Sequence, residues 1–322
     1  MRRLLAGWDR FWFAPQSSST LALVRIAFAA VLVGWAITLG PDLMSFFGGK
    51  GILPRQPNYA RQGERGTWSL LGVSPGKGLI VLAYLVFVAA AVCLLIGFHT
   101  RLAAALVFCG LVSFTRRNPF VFNSGDLLLR VLAFYVMLAP SGAALSVDRW
   151  RRTRRGRGDF WECPPRSVWP VRLMQVQLSV VYLSTLWAKG VGATWHDGTA
   201  VSYALRIHFL ERFPVPSLVT RSVLTSNVLT YATLATELAL GILVWNRRAR
   251  PWVLLVGVAF HLAIDYSLRV GFFSYAMFVL YLAFVPAETA DRWVLTIRER
   301  LARRARRAGR PAQEELEPAP TG

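Results

Sequence analysis

The sequence predicts an all-α integral membrane protein, a polytopic bundle of about eight spans with both termini in the cytoplasm. Of its 322 residues, 54% are hydrophobic and only 17% are charged, and the mean hydropathy is +0.41. This composition is typical of proteins embedded in a bilayer. The apolar residues also form long runs, and basic residues and tryptophans collect at the ends of those runs, where they anchor to lipid head groups.

Eight apolar runs are the candidate spans, because a helix needs about 20 mostly apolar residues to cross a hydrocarbon layer of about 30 Å. In chain order the runs are 20–39, 79–98, 102–115, 127–145, 168–187, 228–245, 252–264 and 272–285. The third, seventh and eighth are short, so we expect their ends to extend into polar residues that face protein or trapped water. The three-residue link 99–101 predicts an antiparallel hairpin.

Lysine and arginine are unevenly divided between the segments that connect these runs. The richer set comprises 1–19, 99–101, 148–166, 246–251 and 287–322. The poorer set comprises 40–78, 116–125, 190–227 and 265–271. The richer set carries twice as many basic residues, so the positive-inside rule predicts that it is cytoplasmic.

The same pattern divides the chain into three parts. An interfacial amino-terminal segment is predicted at residues 1–19, and a transmembrane domain is predicted at residues 20–286. Residues 287–322 predict a basic amphipathic helix followed by a disordered, proline-rich tail.

The net charge of +20 does not indicate nucleic-acid binding, because the basic residues lie at the ends of apolar runs. The lipid bilayer is the partner that this placement predicts. Cys93, Cys109 and Cys163 fit neither a disulfide framework nor a zinc site. The four histidines are assigned to both membrane faces and to a span, so no metal is expected. Motifs of soluble nucleotide-binding enzymes, hydrolases and metalloproteases are also missing.

The segment RNPFVFNSGDLLLR places polar residues at the start of the fourth span. Asp126 and Arg130 are four residues apart and share one helical face, which predicts an ion pair that orients the helix. Asn123 and the two residues after it predict a helix cap. The alternative is that this loop presents polar groups to a ligand at the outer membrane face.

The segment WAKGVGATWHDGTA follows the fifth span. Lys189 lies at the outer end of that span and precedes Trp195, His196 and Asp197. A lysine in this position is usually an anchor that reaches the interface. Desolvation by apolar helices would instead favour a neutral amine, which is a usable general base. The stretch 199–213 predicts a helix that lies on the outer interface.

The segment HLAIDYSLRV places His261, Asp265 and Arg269 at intervals of four on the predicted seventh helix. A charge-paired stripe and a proton relay both fit this spacing. Glu237 lies mid-span, where a carboxylate must be protonated or paired. Arg25, Arg130 and His261 are its candidate partners.

These three segments, in this order, resemble the bacterial horizontally transferred transmembrane (HTTM) domain family. The resemblance covers about residues 21–285. The family is related to the membrane portion of vitamin K-dependent γ-glutamyl carboxylase. The resemblance therefore implies a multi-pass protein of the bacterial inner (plasma) membrane.

The resemblance also implies a chemistry. The carboxylases use reduced vitamin K, O₂ and CO₂, with a lysine base, and Lys189 stands in the matching region. Gly190 replaces the second of two adjacent lysines, and 124–126 replaces a segment that carries a histidine in the carboxylases. No outer segment exceeds about 40 residues, so the large β-rich domain that binds protein substrates is not expected.

Two functional hypotheses follow. The first is a carboxylase-like enzyme that uses a reduced quinone (vitamin K hydroquinone) with O₂ and CO₂, in which Lys189, His261 and Asp265 are catalytic. Its lipid-soluble substrate would be bound by Asn123, Asp126, Arg130, Trp195, Asp197, Glu237 and Arg269. The second is a non-enzymatic scaffold, or an accessory protein for the maturation or export of a secreted peptide. A transporter is disfavoured, because the spans include no paired broken helices.

Overall fold

The structure is a computed structural model that describes residues 2–53, 69–71, 76–156 and 158–308. It is nearly all helical. In chain order the helices are α1 (Arg2–Phe13), α2 (Ser19–Leu39), α3 (Leu43–Phe47), α4 (Lys77–Ile96), α5 (Thr100–Arg117), α6 (Ser124–Leu138), α7 (Val147–Thr153), α8 (Trp169–Gly190), α9 (Ala193–His196), α10 (Ala200–Leu205), α11 (Ser217–Arg221), α12 (Val223–Ile242), α13 (Arg250–Ser267), α14 (Phe273–Leu282) and α15 (Ala287–Ala308).

The fold differs from the all-α prediction by one pair of short strands. Strands β1 (Pro15–Ser17) and β2 (Pro165–Ser167) pair antiparallel. They join the segment before α2 to the segment before α8. Three residues are too few for an alternating pattern, so the sequence carried no signal for this pairing.

Each of the eight apolar runs coincides with one helix: α2, α4, α5, α6, α8, α12, α13 or α14. Among the described residues, α2, α4 and the helical stretch Val223–Trp245 are long and apolar enough to cross a membrane. Helices α14 and α15 pass the same test only as a pair, with a bend of 97° between them. The number of candidate spans by length and composition is therefore three or four.

The other predicted spans do not meet this criterion of length and composition, and their residues explain why. Helix α6 has only 15 residues, and α5 carries Arg101, Arg116 and Arg117. Helices α8 and α13 contain polar side chains that face other helices, including Tyr182 and His261. Burying these groups against protein removes them from lipid, which is how polar residues are accommodated inside membrane proteins.

The core lies around α2, which packs against α4, α14 and α15. Helices α4, α5 and α6 are successive neighbours, and α8 contacts α6, α12 and α14. Fully buried apolar side chains from α2, α6 and α14 meet at this centre. Examples are Phe28, Leu32, Leu129, Leu132, Met277 and Leu280.

Hydrogen bonds sort the connecting segments into two ends. At one end, the Ser17 hydroxyl donates to Asp291 (2.7 Å), and the backbone N–H of His99 donates to Asp148 (3.0 Å). At the other end, the Asn118 amide donates to the Phe46 carbonyl (2.7 Å). These two ends correspond to the lysine- and arginine-rich set of segments and to the poorer set.

Two other sequence predictions concern segments outside the spans. The helix predicted over 199–213 is wrong beyond Leu205: a 3-10 helix follows at His208–Leu210, and Glu211 forms a bridge with Leu268. In this stretch, backbone hydrogen bonds to Ser267 and Arg269, at the end of α13, replace helical hydrogen bonds. Helix α15 covers the first part of the predicted carboxy-terminal segment 287–322. The predicted disordered tail that follows it lies outside the described residues.

Candidate functional site

A buried ion pair joins α8 to α12. Nζ of Lys189, in the last turn of α8, contacts Oε1 of Glu237, and the two side chains are 21% and 7% exposed. The hydroxyl of Thr185 donates to the other carboxylate oxygen of Glu237 (3.5 Å). The indole ring of Trp195 lies beneath the ammonium, with 4.7 Å between Nζ and the ring centroid.

All three partners predicted for Glu237 are wrong. Arg25 donates to the carbonyls of Ser141 (3.2 Å) and Leu145 (2.6 Å), at the opposite end of the bundle. Arg130 contacts the Thr115 hydroxyl, and His261 contacts a tyrosine. The partner is Lys189, for which the sequence left open an interfacial anchor and a desolvated base. Pairing with Glu237 instead draws it against the helices.

A second buried cluster consists of Tyr182 from α8, His261 from α13 and Tyr281 from α14. Nε2 of His261 lies 2.8 Å from the Tyr182 hydroxyl, which also contacts the Tyr281 hydroxyl. The His261 side chain is buried, yet its Nδ1 has no hydrogen-bond partner among the described residues. The rings of Phe273 and Phe278 flank the imidazole, with centroids 5.6 and 6.1 Å away.

The two clusters lie along one face of α8. Tyr182, Thr185 and Lys189 have the spacing i, i+3 and i+7, which places them on one side of a helix. Tyr182 and Lys189 are about 10 Å apart along the helix axis. Neither tyrosine was predicted from the sequence, although the spacing of Tyr182 from Lys189 was a signal that could have identified the first.

Asp265 lies one turn beyond His261 on α13. Its Oδ2 accepts hydrogen bonds from Arg212 (2.8 Å) and Tyr275 (3.3 Å), and its Oδ1 has no partner among the described residues. The predicted helical stripe is wrong for Arg269, because α13 ends at Ser267. The backbone N–H of Arg269 donates to the Leu210 carbonyl (2.6 Å), in the loop that also supplies Arg212.

The cap predicted at Asn123 is confirmed as a capping box at the start of α6. The Asn123 side chain accepts from Gly125 N–H (2.7 Å), and the Asp126 carboxylate accepts from Asn123 N–H (2.9 Å). The buried Asp126 also accepts from the indole N–H of Trp35 (2.7 Å). The predicted Asp126–Arg130 ion pair is therefore not formed, since Asp126 is bound to its own helix end and to α2.

This cap packs against the second cluster. A Cβ added to Gly125 would lie 2.6 Å from the backbone nitrogen of Phe273, so only glycine permits this approach. The ring of Phe273 in turn contacts His261. The exposed Asp197 lies apart from both clusters, beyond Trp195, and its backbone carbonyl accepts a hydrogen bond from the Asn227 amide (3.3 Å).

Similarity to a known protein family covers most of the chain. A model of the HTTM domain matches residues 13–288, which include every helix from α2 to α14. The chain belongs to the HTTM domain family. No curated protein and no solved structure matches the chain.

Within the HTTM domain, the two clusters together place groups capable of acid–base chemistry among packed helices. A proton can move between Lys189 and Glu237. A proton can also move between the Tyr182 hydroxyl and the His261 imidazole. Because the pair is neutral overall, it is cheaper to bury than either charge alone.

Proposed function

We propose that this protein is a membrane-embedded, carboxylase-like enzyme that acts on a reduced quinone or another lipid-soluble substrate. The observation that carries this proposal is the buried Lys189–Glu237 pair, linked along one face of α8 to His261. Ionisable groups inside a membrane protein are costly, so their concentration on one helix face favours a functional role.

Each residue has a distinct part in the proposal. Transfer of a proton from Lys189 to Glu237 leaves a neutral amine, which then accepts a proton from a substrate hydroxyl. His261 contacts Tyr182, deeper in the bundle than Lys189, and with Asp265 one turn further along α13 it moves protons within the site. Trp195 covers the ammonium of Lys189. Asn123 and Asp126 hold the loop that positions Phe273, and Arg130, Asp197 and Arg269 belong to the polar rim at this end.

The surroundings of His261 support a reduced quinone as the substrate. Nδ1 of His261 lacks a protein partner among the described residues, and it can donate or accept a hydrogen bond depending on the tautomer. Phe273 and Phe278 supply flat apolar walls beside it. When bound, the reduced quinone supplies the reducing power for the reaction with O₂ that accompanies CO₂ use in carboxylases of this kind.

The decisive experiment incubates the purified protein with menaquinol, O₂ and labelled bicarbonate, and measures both quinone epoxide and fixed label. The matched variants are Lys189→Arg, which keeps the charge beside Glu237 but removes the base, and Lys77→Met, which removes an exposed lysine at the same end of the bundle. We expect epoxide from the wild-type protein. Lys189→Arg should be slower by about 10²- to 10⁴-fold, the usual contribution of a general base.

Three outcomes are informative. Epoxide without label indicates an oxygenase rather than a carboxylase, and the base assignment then stands. Full activity in Lys189→Arg contradicts the role of Lys189. Neither product with the wild-type protein contradicts a quinol-dependent activity and favours the scaffold for a secreted peptide.

The proposal also includes eight spans, with both termini in the cytoplasm of a bacterium. In spheroplasts, His208→Cys should react with a membrane-impermeant maleimide, and Arg155→Cys should react only after permeabilisation. Both positions are exposed, at opposite ends of the bundle. Labelling of Arg155→Cys in intact spheroplasts would contradict this orientation.

The native cysteines are replaced by alanine for this test, although Cys163 is a weak competitor. Burial raises the pKa of its thiol to about 11, and the neighbouring Asp291 and Glu162 carboxylates contribute to that rise. Little thiolate is therefore present at neutral pH.

A further inference from the structure

A cavity of about 670 Å³ lies at the end of the bundle opposite the Lys189 and His261 clusters. It is open to the surface and lies between the start of α5, the segment after α6, and α7. Its lining includes Thr100, Arg101, Ser141, Asp148, Arg152 and Arg166. Under the proposed topology this end is cytoplasmic, so the cavity is independent of the candidate active site.

The cavity carries an excess of positive charge, with three arginines against one aspartate. Asp148 is committed to the first turn of α5: its carboxylate accepts from the backbone N–H and hydroxyl of Thr100 (2.9 and 2.7 Å) and from the N–H of His99 (3.0 Å). Burial alone would raise the pKa of Asp148, but these hydrogen bonds and Arg152 lower it below its ordinary value. The carboxylate is therefore ionised and already bound.

The arginines are not neutralised to the same degree. Burial lowers the pKa of Arg152; Asp148 opposes this shift, and the positive charges of Arg149 and Arg166 add to it. Like charges held around one cavity repel one another unless an anion lies between them. Arg152 also donates to the Gly142 carbonyl (2.6 Å), which fixes its guanidinium at the cavity wall.

A second observation at the cavity is an unsatisfied polar group. The hydroxyl of Ser141 is buried and has no hydrogen-bond partner among the described residues. Buried hydroxyls are normally paired, because an unpaired one costs free energy. A ligand with acceptor oxygens would satisfy this hydroxyl and the arginines together.

The neighbouring surface is apolar and identifies the kind of anion. Leu102, which lines the cavity, and Leu106, one turn further along α5, are both exposed. Phe134 and Leu138 are exposed one turn apart on the adjacent α6. An acyl chain could lie along this strip while its phosphate occupies the cavity.

From the charge, the unsatisfied hydroxyl and the apolar strip, we propose that this cavity binds the head group of an anionic phospholipid. Free phosphate would use the same arginines but would gain nothing from the exposed side chains of α5 and α6. The lipid is therefore the ligand that accounts for all three observations.

The test measures lipid retained by the full-length protein, purified in detergent, by native mass spectrometry. Phosphatidylglycerol is compared with phosphatidylcholine and with inorganic phosphate. The variant Arg101→Gln/Arg166→Gln is compared with Arg155→Gln/Arg300→Gln, which removes two exposed arginines at the same end but outside the cavity. Arg101→Lys/Arg166→Lys keeps the charge and serves as the folding and rescue control.

We expect phosphatidylglycerol to bind in preference to phosphatidylcholine. The Gln variant should bind it about 30-fold more weakly, the effect of two cations near an anionic surface. The Arg155/Arg300 variant and the lysine variant should retain binding close to that of the wild type.

Each contrary result overturns the proposal. Equal retention of the two lipids would show that head-group charge is not recognised. Equal loss in the Arg155/Arg300 variant would show that general surface charge is responsible. Competition by inorganic phosphate at the same concentration as the lipid would indicate a site for a free anion.

Discussion

Glu237→Gln is expected to lower the free energy of unfolding by about 3 kcal/mol. The substitution leaves the ammonium of Lys189 between α8 and α12 without its counter-charge, and breaking a buried ion pair from one side typically costs about 3–5 kcal/mol. Lys189 is partly exposed and can recover some hydration, so the lower end of this range applies.

The double variant Lys189→Met/Glu237→Gln should recover most of this loss. With both charges removed, no uncompensated charge remains, and an apolar methionine can fill the space of the lysine stem. The measurement is a double-mutant cycle by chemical or thermal unfolding in one detergent. Glu211→Gln, which alters a half-buried carboxylate beside the exposed His208, should change the stability by no more than about 0.5 kcal/mol.

Additivity would contradict this prediction. If the double variant lost the sum of the two single losses, Lys189 and Glu237 would contribute separately, and the pair could not act as an internal proton exchanger. Coupling in the cycle with no activity in any assay would instead leave the pair as a device that holds α8 and α12 together.

Much of the helix arrangement could be predicted from the sequence, because apolar runs and basic flanks are local signals. The run 79–98 predicted α4 to within two residues at each end, and the basic segments predicted which connections share an end of the bundle. The strand pair β1–β2 could not be predicted, since it joins residues about 150 positions apart through only three residues each. The lengths of α6 and α14 were also missed, since these helices end at Leu138 and Leu282, before the apolar runs 127–145 and 272–285 do.

The site was predicted less well, for a physical reason. Candidate residues such as Lys189, Glu237 and His261 were identifiable because charge inside apolar sequence is rare. Their partners were not, since pairing depends on helix rotation and depth, which periodicity alone does not determine. None of the three candidate partners of Glu237 contacts it, and Arg269 was placed on a helix that ends two residues before it. Tyr281 was overlooked because a tyrosine in an apolar run does not look polar.

Two substitutions of His261 by an amide side chain should distinguish its effect on stability from its effect on activity. The amide of glutamine can reach the position of Nε2 and keep the contact with Tyr182. The shorter asparagine reaches only the position of Nδ1 and loses that contact. We expect His261→Gln to fold normally and to reduce menaquinol oxidation by about 10²-fold or more, because the side chain no longer titrates.

His261→Asn should lose the same activity and also about 1–3 kcal/mol of stability, because the Tyr182 hydroxyl loses a buried partner. The exposed His208→Gln is the matched control and should change neither property. Activity and unfolding are measured on the same preparations, so a folding defect cannot be mistaken for a catalytic one.

Retained activity in His261→Gln would remove His261 from the proton path. The open Nδ1 would then be a packing feature of the aromatic cluster, and proton transfer would rest on Lys189 and Glu237 alone. Loss of activity with normal stability in His261→Gln would instead mean that the substrate needs the unpaired Nδ1 of His261.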